Sequence, residues 1–470
     1  MQETRTSVLV LGGGPGGYAA AFAAADHGLA VTLVDQRENP GGVCLYEGCI
    51  PSKALLHAAG VLRAAEDAAR IGISFGAAQV DLGALRTWKR GVVDRLTRGL
   101  GTLSRQRSIT YVRGKGAFLD QGSVQVTRAD GGEQRILFDY AILATGSQAF
   151  FPANFPQAGA RVMDAGAALE LQDVPGRLLV VGGGYIGTEM ATIYSALGAE
   201  VTLVELTETL LPGMDKDLVK VLEQRLRKDL AAIRLGTRVA SLQEEKDAVR
   251  VRLQRGAEAT EEVFDRVLVA IGRVPNTAGI GLDRAGVALT ERGFVQVDEE
   301  RRTANPRIFA IGDVTGGPML AHKASREGKV AANVIAGRKD RFLPLAIPAV
   351  VYTDPELAWA GRTEAEAKAE GRQVKVSTFP WVASGRALTI DRPEGLTKLL
   401  TDAQTGEVLG MGIAGHGAGD LIAEGVAAIE MQATAADIAL MIHPHPTFSE
   451  TILEAAEAAE GQATHFLGRR

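Results

Sequence analysis

Residues 7–35 read SVLVLGGGPGGYAAAFAAADHGLAVTLVD, and residues 178–205 repeat the same pattern as LLVVGGGYIGTEMATIYSALGAEVTLVE. In both segments an apolar strand enters a glycine-rich loop, a helix follows, and a second apolar strand ends in an acidic residue. The first glycine and this acid are 23 positions apart in each copy, Gly12 to Asp35 and Gly182 to Glu205. The repeat predicts two βαβ units with parallel sheets.

The spaced glycines of each loop are expected to bind a dinucleotide. The first glycine makes a tight turn, the second lets the backbone approach a pyrophosphate, and the third lets helix and strand pack closely. The helix N-terminus offers N–H groups and a positive dipole end to the phosphates, and the acid accepts hydrogen bonds from ribose. Two copies in one chain favour FAD together with a nicotinamide cofactor. The predicted loop residues are Gly12, Gly14 and Gly17, and then Gly182, Gly184 and Gly187.

The overall composition excludes several classes of protein. A chain of 470 residues is too long for one hydrophobic core, so we expect about three domains. The net charge is −5 and no basic run stands out, which argues against nucleic acid as a partner. No apolar run approaches the roughly 20 residues that span a bilayer. We therefore predict a cytoplasmic protein that neither binds nucleic acid nor crosses a membrane.

The predicted fold class is α/β, with two Rossmann-like dinucleotide-binding domains, for FAD and NAD, and a C-terminal α+β domain. Apolar strands ending in small residues, at Thr145, Gly146 and Gly272, suit a backbone that passes close to a ligand. Prolines at 344, 348 and 355 mark the last boundary. We predict an FAD domain at 1–147, an NAD domain at 148–272, a central domain at 273–344 that completes the FAD site, and the C-terminal domain at 345–470.

The only two cysteines, Cys44 and Cys49, lie in GGVCLYEGCIPSK at 41–53. So close a pair is more typical of catalysis or metal binding than of a structural disulfide, and zinc lacks further ligands nearby. In a regular helix their Cα atoms would be about 8–9 Å apart, whereas a disulfide needs roughly 4.4–6.8 Å. A bridge therefore requires an irregular turn, which Gly48 and Pro51 permit, and a local bridge suits redox exchange. Two buried structural thiols are the alternative.

The pattern GGxCxxxGCxPSK, the two glycine loops and the closing HPHPTFSE at 443–450 resemble the flavin-dependent pyridine nucleotide-disulfide oxidoreductases over essentially the whole chain. The resemblance implies that Cys44 exchanges with the substrate sulfur and that Cys49 is the thiolate beside the flavin. It also implies that Lys53 lies near the flavin, paired with Glu189. The further FAD contacts it implies are Gly42, Asp313 at the ribityl chain, and Ala321 at the start of a helix.

The same resemblance implies that His445, held by Glu450, is the acid–base group and reaches the disulfide from the partner subunit of a homodimer. Thiol exchange needs a thiolate and hence a base, and histidine titrates near neutral pH. The alternative for this segment is a proline-rich turn with exposed histidines. For Lys53 and Glu189 the alternative is a solvated ion pair.

Features that are absent narrow the activity. No further cysteine pair occurs near the C-terminus, unlike in family members that reduce mercuric ion or thioredoxin. Residues 205–208 read ELTE, and an acid at this place favours NAD over NADP. The resemblance thus implies oxidation of protein-bound dihydrolipoamide with NAD. The expected partner is a separate lipoyl-bearing protein of a 2-oxo acid dehydrogenase or glycine cleavage complex.

Three alternatives remain open at this point: another FAD/NAD(P)H disulfide reductase, a non-catalytic flavin-binding dimeric subunit, and a flavoprotein oxidase in which the two thiols would be idle. Tyr46 and Glu47, between the cysteines, depart from the usual family residues, and we expect Glu47 to point outward because a carboxylate would disfavour nearby thiolates. We expect Cys44 to be the more exposed of the two sulfurs.

Overall fold

The computed structural model describes residues 2–156 and 159–467. The chain forms two compact units, each built from separate stretches. The first comprises residues up to 54, 83–150 and 272–343, and the second comprises 55–82, 151–271 and the residues from 344 onward. The four domains predicted from the sequence remain predictions, but residues 272–343 do return to the unit that contains the first glycine loop.

The helices and strands alternate along most of the chain. The α-helices are α1 (Pro15–Asp26), α2 (Gly42–Glu47), α3 (Cys49–Asp67), α4 (Leu82–Gln106), α5 (Ala165–Leu169), α6 (Tyr185–Ala196), α7 (Lys216–Asp229), α8 (Ala321–Ile335), α9 (Glu364–Ala369), α10 (Gly385–Thr389), α11 (Ala418–Glu430), α12 (Ala435–Ala439) and α13 (Glu450–Ala459). Short 3-10 helices lie at Ala68–Ile71, Gly312–Thr315 and Trp381–Ala383.

Within residues 2–156 and 159–467 the strands fall into five sheets. They are β1 (Gln2–Leu11), β2 (Val31–Asp35), β3 (Thr110–Asp120), β4 (Ser123–Arg128), β5 (Glu133–Leu143), β6 (Ser147–Ala149), β7 (Val162–Met163), β8 (Arg177–Val181), β9 (Glu200–Val204), β10 (Ala232–Arg234), β11 (Arg238–Glu244), β12 (Val249–Arg255), β13 (Glu258–Phe264), β14 (Arg266–Val269), β15 (Arg273–Pro275), β16 (Ile308–Ala310), β17 (Ala349–Val351), β18 (Glu356–Gly361), β19 (Val374–Pro380), β20 (Leu396–Asp402) and β21 (Val408–Gly415).

The first unit is built around a parallel sheet in the order β3-β2-β1-β5-β16. The outer half of β3 continues into an antiparallel meander with β4 and β5. Val8, Leu9 and Val10 of the central strand are completely buried, as expected for a parallel strand that is covered on both faces. The strand order reverses between β1 and β5, and at such a point the carboxyl ends of the strands leave a crevice for a ligand.

The second unit repeats this arrangement. Its parallel sheet has the order β10-β9-β8-β14-β7, and an antiparallel sheet of β11, β12 and β13 accompanies it. The reversal here lies between β8 and β14. The two glycine loops therefore follow equivalent central strands, β1 and β8, which confirms the duplicated βαβ pattern read from the sequence.

Small residues let helices α1 and α8 of the first unit approach closely. A Cβ atom added to Gly328 would lie 2.5 Å from the carbonyl oxygen of Gly16. Gly16 in turn packs on Ala324, and Ala20 and Ala24 of α1 are completely buried. The alanine-rich composition of α1 is thus explained by helix packing at short distance.

The C-terminal part of the second unit is α+β, as predicted. An antiparallel sheet in the order β17-β18-β21-β20-β19 is covered by α11, α12 and α13. Its core contains Trp381, Leu399, Ile413 and Ile452, each at most 2% exposed. No helix in the described part of the chain is long and apolar enough to span a membrane.

Candidate functional site

The first glycine loop packs tightly at two of its three spaced glycines. A Cβ on Gly12 would lie 2.2 Å from the carbonyl oxygen of Ala144, which follows β5, and φ is +107° at Gly12. A Cβ on Gly17 would lie 1.8 Å from the oxygen of Gly12. Gly14 differs, because its nearest neighbour would be Gly42 Cα at 3.9 Å. The backbone before α1 is therefore bare on the side where a pyrophosphate would approach.

The second loop has the same distribution of space. A Cβ on Gly182 would lie 2.4 Å from the oxygen of Ala270, and one on Gly187 would lie 1.8 Å from the oxygen of Gly182. Nothing lies within 4 Å of the corresponding position on Gly184, the N-cap of α6. Two loops that are closed at the first and third glycines and open at the second fit dinucleotide phosphates at a helix N-terminus.

The acids that end the second strands also hold their own loops. Asp35 accepts hydrogen bonds from the backbone N–H of Gly13, at 2.6 Å, and of Arg37, at 2.8 Å. Glu205 accepts from the N–H of Gly183 at 2.6 Å and from the N–H and hydroxyl of Thr207 at 2.8 and 2.9 Å. Each carboxylate oxygen keeps lone pairs for ribose hydroxyls. The equal spacing of 23 residues in the sequence reflects this shared geometry.

A hydrogen-bonded corner lies at the carboxyl ends of β5 and β16 in the first unit. The hydroxyl of Ser147 donates to Asp313 and accepts from Arg273 Nε, 2.7 Å away. The predicted residues Thr145 and Gly146 precede this corner, where Thr145 Oγ1 donates to the carbonyl of Asn276 at 2.8 Å. Gly272, with φ +141°, accepts from the N–H of Phe150 at 3.0 Å.

Helix α8 begins at the predicted residue Ala321 and carries a buried acid that sequence reasoning missed. Glu327 is fully buried and accepts from the N–H of Gly312 at 2.6 Å and from Arg301 at 3.1 Å. The ammonium of Lys323 lies 3.0 Å from the same carboxylate. Glu327 thus fixes the turn that precedes Asp313. The only sequence signal for it is that Glu327 is the single acidic residue of α8.

The cysteine pair lies where two helices meet at an irregular turn. Helix α2 ends before Gly48, whose φ is −140° and ψ is −115°, and α3 starts at Cys49. A Cβ on Gly48 would lie 2.9 Å from the carbonyl oxygen of Val43, so the chain folds back onto the turn that carries Cys44. The break that the sequence predicts for Gly48 is confirmed, and it brings the two thiols together.

The two thiols interact directly. Hydrogen bonding to Cys49, with burial adding to it, raises the pKa of Cys44, and the nearby ammonium of Lys53 opposes this shift. Burial raises the pKa of Tyr18 on α1, and charge on the two cysteines raises it further. The pair also adjoins the helix that follows the first glycine loop.

The segment around the pair corrects one expectation and confirms another. Cys49 is an exposed residue and Cys44 is only partly exposed, which contradicts the expectation that Cys44 is the more exposed of the two, because the turn at Gly48 packs against the backbone of Cys44. Glu47 points outward, as predicted, and pairs with Arg37, with its side chain 41% exposed. Gly42, with φ +59°, packs against Gly14, where a Cβ would lie 2.5 Å from Gly14 Cα. This contact rests the cysteine segment on the first loop.

His445 and Glu450, in the second unit, form the predicted dyad. Nδ1 of His445 lies 2.8 Å from Glu450 Oε1, and Glu450 Oε2 accepts from the N–H of Thr447 at 2.7 Å. Burial acts to raise the pKa of Glu450, but the hydrogen bonds from Thr447 and His445 outweigh it and lower that pKa. The His445 side chain is 74% exposed, so its ring edge with Nε2 is accessible to a reactant. The sequence did not predict the parallel pair of His443 with Glu424, at 2.9 Å.

Glu189, the other predicted catalytic acid, is buried on α6. Its carboxylate accepts a hydrogen bond from the N–H of Tyr352 at 3.1 Å. Its pairing with Lys53 remains a prediction.

Three carboxylates in the second unit converge at a spacing that would suit a metal ion, but a lysine lies among them. Asp215, Asp217 and Glu364 each offer an oxygen within 4.8 Å of the others. The buried ammonium of Lys398 lies 3.0 Å from Asp215 and from Asp217, and it also contacts Glu364. Burial acts to lower the pKa of Lys398, but these hydrogen bonds outweigh it and raise that pKa. We therefore infer that the lysine ammonium, and not a metal ion, is the cation that balances these three carboxylates.

Comparisons with known proteins match both parts of the chain. A family described as pyridine nucleotide-disulphide oxidoreductase matches residues 6–328, and its dimerisation domain matches residues 347–456. Dihydrolipoyl dehydrogenase of Vibrio cholerae is 46% identical over 464 residues, covering 98% of this chain and 97% of the relative. That of Thermus scotoductus is 44% identical over 465 residues, covering 98% and 99%.

Solved structures share the fold. LpdA from Mycobacterium tuberculosis superposes with a TM-score of 0.89 at 27% identity, over 97% of this chain and 99% of that one. A Cu(II) complex of the HOCl-induced flavoprotein disulfide reductase RclA from Escherichia coli gives a TM-score of 0.86 at 26% identity, with the same coverage.

Proposed function

Because the chain belongs to the pyridine nucleotide-disulphide oxidoreductase family, we propose that it acts as a dihydrolipoyl dehydrogenase, with FAD and NAD as cofactors. The observation that carries the proposal is the direct interaction of the Cys44 and Cys49 thiols on a segment packed against the first glycine loop. Two thiols in contact can interconvert with a disulfide. The adjoining dinucleotide crevice would hold the cofactor to which the electrons of the reduced pair pass.

The residues of the chain handle the thiol chemistry. Nε2 of His445 takes the proton of one dihydrolipoamide thiol, and the resulting thiolate attacks Cys44 in the oxidised pair. The Cys44–Cys49 bond breaks and Cys49 leaves as a thiolate. The second substrate thiol then displaces Cys44, which closes the lipoamide disulfide and leaves both cysteines reduced. FAD and NAD, when bound, supply the redox chemistry that removes this electron pair as NADH.

The charges of Glu450, Lys53 and Glu205 support these roles. Glu450 stays ionised because its pKa is lowered, so it can hold the His445 ring in one orientation and stabilise the imidazolium once the proton has arrived. Lys53 favours a thiolate at the cysteine pair, since its ammonium opposes the rise in the pKa of Cys44. The acid Glu205, at the end of β9, favours the free ribose hydroxyls of NAD over the 2′-phosphate of NADP.

We place the complete site in a homodimer, with His445 contributed by the subunit opposite the cysteines. The C-terminal part of the chain matches a dimerisation domain. An apolar run directly before the dyad is also strongly exposed in the single chain, with Leu440 at 82% and Ile442 at 99%. Such a patch is typical of a surface that another subunit covers. The partner that brings the substrate is a lipoyl-bearing protein of a 2-oxo acid dehydrogenase or glycine cleavage complex, in the cytoplasm.

An assay panel tests the function. Purified protein reconstituted with FAD is given dihydrolipoamide, glutathione disulfide or mercuric ion, each with the NAD and NADP forms of the nicotinamide cofactor. We expect turnover of dihydrolipoamide with NAD, and its loss in Cys44→Ser and Cys49→Ser. Turnover of another substrate with none of dihydrolipoamide would assign the chain to a different member of the family.

A further inference from the structure

A chain of hydrogen bonds leads from a buried tryptophan to the turn that carries the dyad. Trp381 Nε1 lies 2.9 Å from Thr397 Oγ1, which lies 2.7 Å from Thr451 Oγ1. Thr451 Oγ1 lies 2.8 Å from the carbonyl oxygen of Phe448, and the N–H of Thr451 reaches the same oxygen at 3.0 Å. Trp381, Thr397 and Thr451 are all completely buried.

The number of hydrogens on each group determines the direction of these hydrogen bonds. The indole nitrogen can only donate, and the Phe448 carbonyl can only accept. Each threonine hydroxyl has a single hydrogen, so Thr451 donates to Phe448 and Thr397 donates to Thr451. All the hydrogen bonds therefore point the same way, an arrangement in which each bond polarises and strengthens the next in a buried setting.

Trp381 also holds Phe448 through its ring. The two aromatic rings are stacked, with centroids 4.8 Å apart and planes 25° from parallel. The fold leaves room for this indole in particular, because a Cβ on Gly395 or on Gly415 would lie 2.4 Å from a ring carbon of Trp381. The side chain of Phe448 is thus held by stacking on Trp381, and its backbone oxygen is held by the hydrogen bonds from Thr451.

Phe448 lies between the two members of the dyad, three residues after His445 and two before Glu450. A shift of this residue would change the angle between the imidazole and its carboxylate. We propose that Trp381, acting through Thr397 and Thr451, is a positioning residue for the His445–Glu450 dyad. The inference rests on the proposed function only in that the dyad serves as the base in thiol exchange.

The test compares two substitutions at Thr451, the link closest to the dyad. Thr451→Ser keeps the hydroxyl, whereas Thr451→Val keeps the shape and removes it. We expect kcat for the thiol substrate to fall about tenfold in the valine variant, since small misplacements of catalytic groups are costly, with KM within about twofold of the parent. The serine variant should stay within about twofold of the parent in kcat. Reduction of ferricyanide by NADH, which needs no thiol base, should be unchanged in both.

A double-mutant cycle tests whether Trp381 acts through the threonines. Trp381→Phe keeps the aromatic stacking and loses the donor, and Thr397→Val removes the middle link. We expect each single change to lower kcat, and the double variant to be no slower than Thr397→Val alone, because both interrupt one chain. Additive losses would show that Trp381 acts independently of Thr397 and would overturn the inference.

The outcomes separate this inference from the proposed function. If the parent enzyme turns over another disulfide instead of dihydrolipoamide, the proposed function fails, and the Thr451 comparison is made with that substrate. Equal kcat in Thr451→Val and Thr451→Ser refutes the positioning role, whichever substrate is used. Parallel losses of ferricyanide reduction and of melting temperature in the valine variant would likewise refute it, because they indicate a general structural role.

Discussion

Replacing Glu205 by alanine is expected to weaken NAD binding and to reduce discrimination against NADP. Glu205 is buried, and its carboxylate accepts three hydrogen bonds from the protein, from Gly183 N–H, Thr207 N–H and Thr207 Oγ1, at 2.6–2.9 Å. These bonds hold the carboxylate at the end of β9, beside the open loop before α6. The substitution removes the ribose acceptor and also leaves two loop N–H groups without their partner.

The size of the effect follows from the bonds that are lost. A hydrogen bond to a charged group contributes about 1.5–3 kcal/mol, which corresponds to a rise in the KM for NAD of about 10- to 150-fold. The KM for NADP should not rise with it, because the repulsion between the carboxylate and a 2′-phosphate disappears at the same time. We therefore expect the ratio of kcat/KM for NAD over NADP to fall by at least about tenfold.

Steady-state kinetics with both cofactors provide the assay, and the chain offers two matched controls. Glu208→Ala removes a nearby acid whose side chain is 78% exposed, and it should change the KM for NAD less than about threefold. Asp35→Ala makes the equivalent change in the first loop, and it should reduce the FAD content of the purified protein without altering cofactor preference. A KM for NAD within twofold of the parent in Glu205→Ala, with unchanged preference, would refute the reasoning.

Four other substitutions give distinct outcomes. Gly14→Ala should fold with a normal melting temperature because its Cβ meets open space, but it should retain little FAD because a pyrophosphate would approach through that same space. Gly17→Ala should fail to fold, because its Cβ would lie against the oxygen of Gly12. Equal FAD retention in Gly14→Ala and the parent would contradict the site. Lys398→Met should lower the free energy of unfolding, measured by denaturant titration, by about 2 kcal/mol. This is less than for a fully buried ion pair, because the partners Asp217 and Glu364 are partly exposed. Because the pKa of Lys398 is raised, the loss should be present at neutral pH and shrink as pH rises through that pKa. Glu450→Gln should lower kcat for the thiol substrate about 10- to 100-fold. It should also shift acid unfolding to higher pH, because a carboxyl with a lowered pKa stabilises the fold above that pKa. Unchanged kcat together with an unchanged midpoint of acid unfolding would argue against the dyad.

Local patterns account for most of the fold that the sequence predicted. The glycine loops, the apolar central strands and the strand-end acids are all determined by neighbours within about one βαβ unit. The break at Gly48 was also predictable, since two cysteines five residues apart cannot meet in a regular helix. The exposure of the cysteines was not, because it depends on how the turn at Gly48 packs against Cys44.

Contacts between distant parts of the chain account for what the sequence could not predict. Trp381, Thr397 and Thr451 are separated by 16 and 54 residues, and none of them belongs to a motif. The pairing of Glu327 with Gly312, or of His443 with Glu424, likewise depends on tertiary packing. Single-sequence patterns carry no information about which polar side chains meet after folding, although burial requires that such groups find partners.

The most direct test of the composite thiol site is activity in a defined heterodimer. A Cys44→Ser chain and a His445→Ala chain are given different affinity tags, coexpressed, and purified through both tags in turn. Each homodimer should be nearly inactive with dihydrolipoamide and NAD. The heterodimer contains one pairing of intact cysteines with the intact histidine of the opposite subunit, so we expect about half of the parent activity. A confirmed heterodimer that regains no activity would show that His445 serves its own chain and would contradict the account.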